Sequence, residues 1–409
     1  MTEIVRPETL DQLRDAVAWA VAEEQPLEIV ARGTKRGLGR PVQAGHTLDT
    51  SALSGITLYE PEELVMSARA GTPLAEIASA LAEKNQQLAF EPGDWGPLLG
   101  QPAGDGSIAG IFACNIAGPR RLKTGAARDH ILGFKGVSGR GEIYKAGGRV
   151  VKNVTGYDMP KLFCSSYGTL SVASELTFKV LPAPEKTRTA LVLGLDGETA
   201  ASAMALAMTS PHEVSGAAHL PAGIAGGSGV SYLREAGASV TAIRVEGPGP
   251  SVEHRCRELR ALLGSLGPTE ELHSHNSKIL WRELADVAPF AARSDLQLWR
   301  LSVAPLAGAG IAAAIHAAVP GAVHFLDWQG GLVWLGVPPA PDAHAGTIRA
   351  AVAASGGGHA TLIRASSDVR AAIDVFQPQE AGLAALSRRV KQAFDPRGVL
   401  TPGRLYPGV

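Results

Sequence analysis

The sequence predicts an α+β protein of two domains, and three observations carry that reading. At 409 residues the chain is too long for one ordinary hydrophobic core. Residues 1–185 order their apolar patterns as βαβ, then ββ, then α, then a hairpin, a mixed α/β succession. Residues 296–364 read βαββαβ, the split pattern of a ferredoxin-like half on an antiparallel sheet. With 45% apolar and 19% charged residues, the composition suits packed cores and excludes a disordered chain.

The first domain opens with a short strand at residues 2–5. Thr9 and Gln12 have capping-box spacing, so a helix begins after Thr9. Leu10, Leu13, Val17 and Val21 recur on its inward face. A strand over residues 27–30 runs into the cation-rich loop 31–39. Strands near 56–59 and 64–68 follow, the second with Leu64, Met66 and Ala68 alternating. Thr72 and Pro73 mark a helix start, with Thr72 as N-cap and Leu74, Ile77 and Leu81 on the buried face. Residues 131–145 read as a hairpin turning at Gly139-Arg140-Gly141. A later strand carries Leu176, Phe178 and Val180, and Pro182 and Pro184 close it at a domain boundary.

The middle domain, 186–379, is rich in alanine. Strand-like runs fall at 190–195, 241–245, 296–303, 322–327, 331–337 and 359–364. Helical runs fall near 198–208, 251–264, 309–318 and 343–354. Residues 221–229 read as a loop, as do the polar residues 270–276. Trp281, Trp299, Trp328 and Trp334 are candidates for a partner surface or for the core. The closing segment is 380–409. Its helix puts Leu383, Leu386 and Val390 on an inward face and stops near Phe394, because the residue before Pro396 disfavours α geometry.

Chemistry concentrates in two glycine-bearing loops. The first is Arg32-Gly33-Thr34-Lys35-Arg36-Gly37. The second begins at Gly104-Asp105-Gly106-Ser107-Ile108-Ala109-Gly110 and continues through Asn115, Gly118, Arg120, Gly125, Arg128 and Asp129. Glycine lets main-chain N–H groups approach a ligand, and arginines suit an anion. The N–H groups of 33–37 and 106–110 are therefore expected to form nests for a phosphate-bearing cofactor. No Walker A loop occurs. Residues 104–109 match the letters GxGxxA, but no strand precedes them, which argues against a dinucleotide turn for NAD.

The ordered motifs resemble those of the vanillyl-alcohol oxidase/PCMH-type FAD-binding flavoprotein family. Arg32–Gly37 stands where that family wraps the FAD pyrophosphate, and Gly106–Ala113 where it lines the flavin. Gly125-Ala126-Ala127-Arg128-Asp129, Lys152-Asn153-Val154-Thr155-Gly156-Tyr157-Asp158 and Ser166-Tyr167-Gly168-Thr169-Leu170-Ser171-Val172 follow in family order. Residues 394–404 match its C-terminal motif. Ala109 and Ser171 replace glycines usual there. The run Ala117-Gly118-Pro119-Arg120-Arg121 is similar to the FAD-binding small-subunit family of bacterial glycolate oxidases. The resemblance implies a PCMH-type two-subdomain FAD domain over 1–185, completed by the segment 380–409, with a cap domain over 186–379. It implies FAD held by residues 32–37, by Gly106, Ser107, Ile108, Gly110, Asn115, Gly118, Arg120, Gly125, Arg128 and Asp129, and by Gly168 and Val172. The attachment is expected to be non-covalent, since the first loop has no histidine and Cys114 matches no attachment position.

The 2-hydroxy-acid dehydrogenases of that family carry a GDGN metal and substrate motif, which this chain lacks. His273 and His275 form an HxH pair in polar sequence, and His359 is the one weak catalytic candidate. Cys114, Cys164 and Cys256 are too widely spaced for a cluster or zinc site, and no metal is expected. The expected role is a redox subunit between a catalytic FAD subunit and an iron–sulfur subunit of a glycolate oxidase-type complex. A free-standing glycolate or D-lactate dehydrogenase and a flavin-free scaffold remain alternatives. A net charge of −1 argues against nucleic acid. Residues 1–6 do not read as a secretory signal, and no apolar run spans a bilayer, so a reduced cytoplasmic setting is expected, with attachment to the inner face of the membrane only through partners.

Overall fold

The computed structural model describes residues 3–150 and 156–409. The expected motif residues Lys152, Asn153, Val154 and Thr155 lie outside the described residues. The chain divides into two compact units: Met1–Ile116 with Gly125–Ala183 and Asp374–Val409, and Ala117–Thr124 with Pro184–Ile373.

Among the described residues the first unit holds two main sheets and a two-residue pairing of Gln86–Gln87 with Leu181–Pro182. The smaller has the parallel order Glu3–Val5, His46–Asp49, Leu27–Val30. The helix Leu10–Ala22 covers it, opened by a complete capping box between Thr9 and Gln12. Its Leu13, Val17 and Ala20 are fully buried against Leu27, Leu48, Val137, Val172 and Leu400. The larger sheet is antiparallel, in the order Ile56–Glu60, Val65–Arg69, Ser171–Lys179, Ile131–Ser138, Ile143–Gly147. The helix Leu74–Ala82 buries Ile77 and Leu81, but Thr72 is not its cap. Pro73 holds the N-cap position, while the Thr72 hydroxyl is taken by Arg69 O at 2.7 Å and by the Gly55 backbone.

The terminal helix, Ala381–Phe394, overturns one expectation. Leu383 and Leu386 are each 52% exposed, and the helix buries Lys391 instead. Beyond it the tail returns to the smaller sheet. Leu27 N–H donates to Val399 O, and Thr401 N–H donates to Leu27 O, both at 2.8 Å.

The second unit is built on one eight-stranded antiparallel sheet. Four strands, Lys186–Leu193, Gly216–Leu220, Val240–Gly247 and Thr269–Leu272, take the order 4-1-3-2 of a ferredoxin-like half. The strands Gln297–Val303, Val323–Asp327, Leu332–Val337 and Gly358–Arg364 repeat it. The halves join edge to edge where His219 faces Leu326. The segments expected as loops differ. Residues 222–225 form a short helix, and 270–276 contribute the end of a strand and the start of the helix Ser274–Ala285. All four candidate tryptophans are core residues, none more than 5% exposed.

Candidate functional site

Two loops of the first unit are fastened together around a cleft. The Ser107 hydroxyl donates to Ala31 O at 3.0 Å and accepts the Gly110 N–H at 3.3 Å, so it both caps the helix Ile108–Cys114 and ties it to the first loop. Arg32 adopts a left-handed backbone with φ 68° and places Nη2 2.8 Å from the Asp105 carboxylate. Its charge is therefore engaged by the second loop.

Beside this seam lies an open cleft. Residues 29–31 and 33–36 form one wall, and Ala109, Gly110, Ala113 and Cys114 a second. Thr50, Phe163, Tyr167, Gly168, residues 171–173 and Arg404 complete the lining. The N–H groups of Gly33, Thr34 and Lys35 donate to nothing among the described residues, which fits an anion nest. Of the N–H groups expected in the second nest, three are used within the protein: Ile108 N–H goes to Thr72 O, Ala109 N–H to Ala70 O and Gly110 N–H to Ser107.

The cleft is positively charged. Burial pushes the Lys35 ammonium below its ordinary value, with Cys114 and Asp94 acting in the opposite direction. Arg36 is bound to Glu28 through both Nε and Nη2. Burial likewise lowers Arg404, whose side chain is almost inaccessible and whose Nε has no hydrogen-bond partner. Burial pushes the Cys114 thiol up to about 11 against the pull of Lys35 and Arg404. It is a neutral thiol at neutral pH.

Of the residues expected to bind the cofactor, Gly33, Thr34, Lys35, Arg36, Gly110, Gly168 and Val172 line this cleft. Arg32, Gly37, Gly106, Ser107 and Ile108 shape the loops behind it. Asn115, Gly125, Arg128 and Asp129 form a separate turn: Asn115 Oδ1 accepts the Arg128 N–H at 3.0 Å, and Asp129 accepts the Ala126 N–H at 2.8 Å. Gly118 and Arg120 belong to the second unit. There Arg120 makes two bonds to Glu246, at 3.0 and 2.8 Å, and Gly118 O accepts the Trp328 indole N–H. Arg404, Cys114 and Tyr167 line the cleft without having been singled out as ligands, although Arg404 closes the C-terminal motif.

In the second unit, His359 is exposed on the strand Gly358–Arg364, opposite Ser302. His273 caps a helix and His275 lies within it. Among the described residues no group of three or more His, Cys, Asp or Glu side chains is placed to hold a metal. No described helix is long and apolar enough to cross a membrane.

The model of the FAD binding domain family matches residues 2–147. The Escherichia coli glycolate oxidase subunit GlcE is 35% identical over 398 residues, covering 96% of each chain. The D-2-hydroxyglutarate dehydrogenase of Stutzerimonas stutzeri is 28% identical over 47% of this chain and 39% of its own. Among solved structures, p-cresol methylhydroxylase superposes with a TM-score of 0.72 at 14% identity, over 98% of this chain and 88% of that one. The 4-ethylphenol oxidase of Gulosibacter chungangensis gives 0.71 at 12% identity, over 99% and 89%. These two likenesses show the fold, a PCMH-type FAD-binding unit with an α+β unit on an antiparallel sheet. The buried cations and open N–H groups of the first unit fit the cofactor that this fold houses, and by its full-length match the chain belongs to the GlcE family of FAD-linked oxidoreductases.

Proposed function

We propose that the chain is the FAD-holding redox subunit of a glycolate (2-hydroxy acid) oxidase complex, relaying electrons between a catalytic flavin subunit and an iron–sulfur subunit. One observation carries this reading: the end-to-end likeness to a protein named as a glycolate oxidase subunit, at 35% identity. FAD, when bound, supplies the two-electron chemistry. The chain's part is to hold and orient it. Gly33, Thr34 and Lys35 offer donors, and the apolar residues Ala109, Ala113 and Phe163 shield one side from water. The raised Cys114 thiol supports a non-covalent hold, because a neutral thiol is a poor nucleophile. In this reading the complex works on the cytoplasmic side, where three free cysteines stay reduced, and any membrane contact is made by partners.

The test is to purify the chain alone and then with both partner subunits. The isolated chain should be yellow, should release its flavin on acid precipitation, and should not reduce a dye with glycolate or D-lactate. Activity should appear when the partners are added. Hydroxy-acid turnover by the isolated chain would replace this reading with a free-standing dehydrogenase, and a colourless chain would replace it with a scaffold.

A further inference from the structure

The helix Ile108–Cys114 supplies one wall of the cleft and has only seven residues, too few to hold its own position. Ser107 fixes its start. Its end is fixed differently. Asn115 has a left-handed backbone, φ 50°, and its N–H and that of Ile116 return to Phe112 O and Ile111 O, both at 3.0 Å, which stops the helix. The chain then passes to the second unit over Ala117–Thr124 and is back in the first at Gly125. The neck of this excursion is closed within the first unit, where Asn115 Oδ1 accepts the Arg128 N–H at 3.0 Å.

The tip is held within the second unit. Arg120 donates to both carboxylate oxygens of Glu246, from Nε at 3.0 Å and from Nη2 at 2.8 Å, and the two side chains are 11% and 10% exposed. Such a two-pronged pair fixes orientation as well as distance. Trp328 donates its indole N–H to Gly118 O at 3.1 Å, and the Arg121 guanidinium lies 4.3 Å from the centre of the same ring. Lys123 and Glu213 also pair, at 3.5 Å, but both are exposed and add little. Between neck and tip, Ile116, Ala117, Gly118 and Pro119 are all buried, and the proline removes backbone freedom. A short, buried link of this kind has little slack. We infer that residues 117–124 are a tether fixing the end of the cleft wall, and that Arg120, anchored on Glu246, is a positioning residue for the cofactor and not a ligand of it. The tether is independent of the partner assignment, and only its effect on the cofactor rests on the FAD reading above.

The test measures hydrogen–deuterium exchange of the flavin-free full chain and its FAD affinity by calorimetry, in Arg120→Met, Arg120→Lys, Trp328→Phe and Glu283→Gln. Glu283 accepts the Ser228 hydroxyl and the Gly229 N–H, both at 2.7 Å, so Glu283→Gln weakens the second unit at other contacts. In Arg120→Met the amides of 108–116 should exchange about 10-fold faster. FAD affinity should fall by about 3- to 30-fold, the range for a residue that acts without touching the ligand. Arg120→Lys keeps the charge and should lose less on both counts. Trp328→Phe removes the second anchor and should loosen the same amides, whereas Glu283→Gln should leave them unchanged. Unchanged exchange of 108–116 in Arg120→Met would overturn the inference, and weaker FAD binding at unchanged exchange would make Arg120 a ligand instead. Equal loosening in Glu283→Gln would overturn it too, because any loss of stability in the second unit would then suffice. If Arg120→Met does not fold, Arg120→Lys and Trp328→Phe decide by the same amides. A natural chain that binds no FAD would sink the cofactor reading, while the exchange rates still decide the tether.

Discussion

Lys391 Nζ lies 2.7 Å from the carboxylate of Asp395, one helical turn further on, and both side chains are buried. The pair ends the terminal helix and starts the tail. Asp395 also accepts the N–H groups of Val399 at 3.0 Å and Leu400 at 2.8 Å. Lys391 also donates to Thr169 O and Leu400 O, both at 2.8 Å. Every donor and acceptor of the clasp therefore has a partner of opposite kind. Asp395→Asn leaves the ammonium buried without its counter-charge and should cost about 3–5 kcal/mol. Lys391→Met leaves Asp395 two N–H donors and should cost less. Urea denaturation of the flavin-free chains measures both, and equal costs would contradict the asymmetry.

The second unit has its own buried ion network. Burial alone would raise the Glu246 carboxyl, but Arg244 and Arg120 outweigh it and hold it at about 2, against an ordinary 4.5. A carboxyl held low in the folded state stabilises fully above about pH 4.5 and loses that contribution as pH falls towards 2. Glu246→Gln should therefore destabilise the chain by about 3–5 kcal/mol at pH 7. The gap between variant and natural chain should narrow steadily between pH 4.5 and 2. Denaturant melts at four pH values give the curve, and a constant gap would show that Glu246 acts through packing alone.

Two histidines of the same unit give the opposite half of the acid response. Burial first, then the neighbouring His316 and His219, push His324 down to about 4 from 6.5. Its Nδ1 stands 2.9 Å from His316 Nε2, a distance that needs one of the two rings to accept a hydrogen bond. Burial also holds His219 at about 4, although Asp196 pulls it up. Below pH 6.5 the unfolded chain takes up protons that these folded rings refuse, so stability falls as pH drops from 6.5 to 4. His324→Gln should flatten that slope without changing the acid response of Glu246. An unchanged slope between pH 6.5 and 4 would remove His324 from the account.

Local patterns were legible where neighbours in sequence are neighbours in space. Thr9, Gln12, Leu13 and Val17 mark the first helix and its buried stripe, because cap and period are properties of a few consecutive residues. The strand Gly216–Leu220 was not legible. Its Gly, Ala, Ala, His and Leu have no β-branched side chain, yet all five are buried. The helix Ser274–Ala285 was hidden by its polar opening, Ser274-His275-Asn276. The stripe Leu383, Leu386 and Val390 was periodic but faced the wrong way, because the clasp of Lys391 and Asp395 turns a charged side inward. Hydrophobic period cannot register a buried ion pair. Arg404 was visible as part of a motif, but its contact with Lys35 O, 369 residues earlier in the chain, exists only in the fold.

The seam between the two glycine loops offers a final contrast. Ser107 is fully buried and joins Ala31 O to the Gly110 N–H through one hydroxyl. Asp105 is partly exposed and holds Arg32 across the same seam. Ser107→Ala removes a cap and leaves Ala31 O without that donor, so it should cost about 1–2 kcal/mol. Asp105→Asn breaks a solvated ion pair and should change stability by less than about 1 kcal/mol. The cleft should respond in the same order. Ala109, Gly110, Ala113 and Cys114 all sit on the helix that Ser107 caps, so a loosened cap displaces one whole wall of the cleft. FAD affinity should therefore fall in Ser107→Ala and hold within a few-fold in Asp105→Asn. Measured by flavin fluorescence on the two purified variants, the reverse order would show that Arg32 and Asp105, and not Ser107, hold the seam.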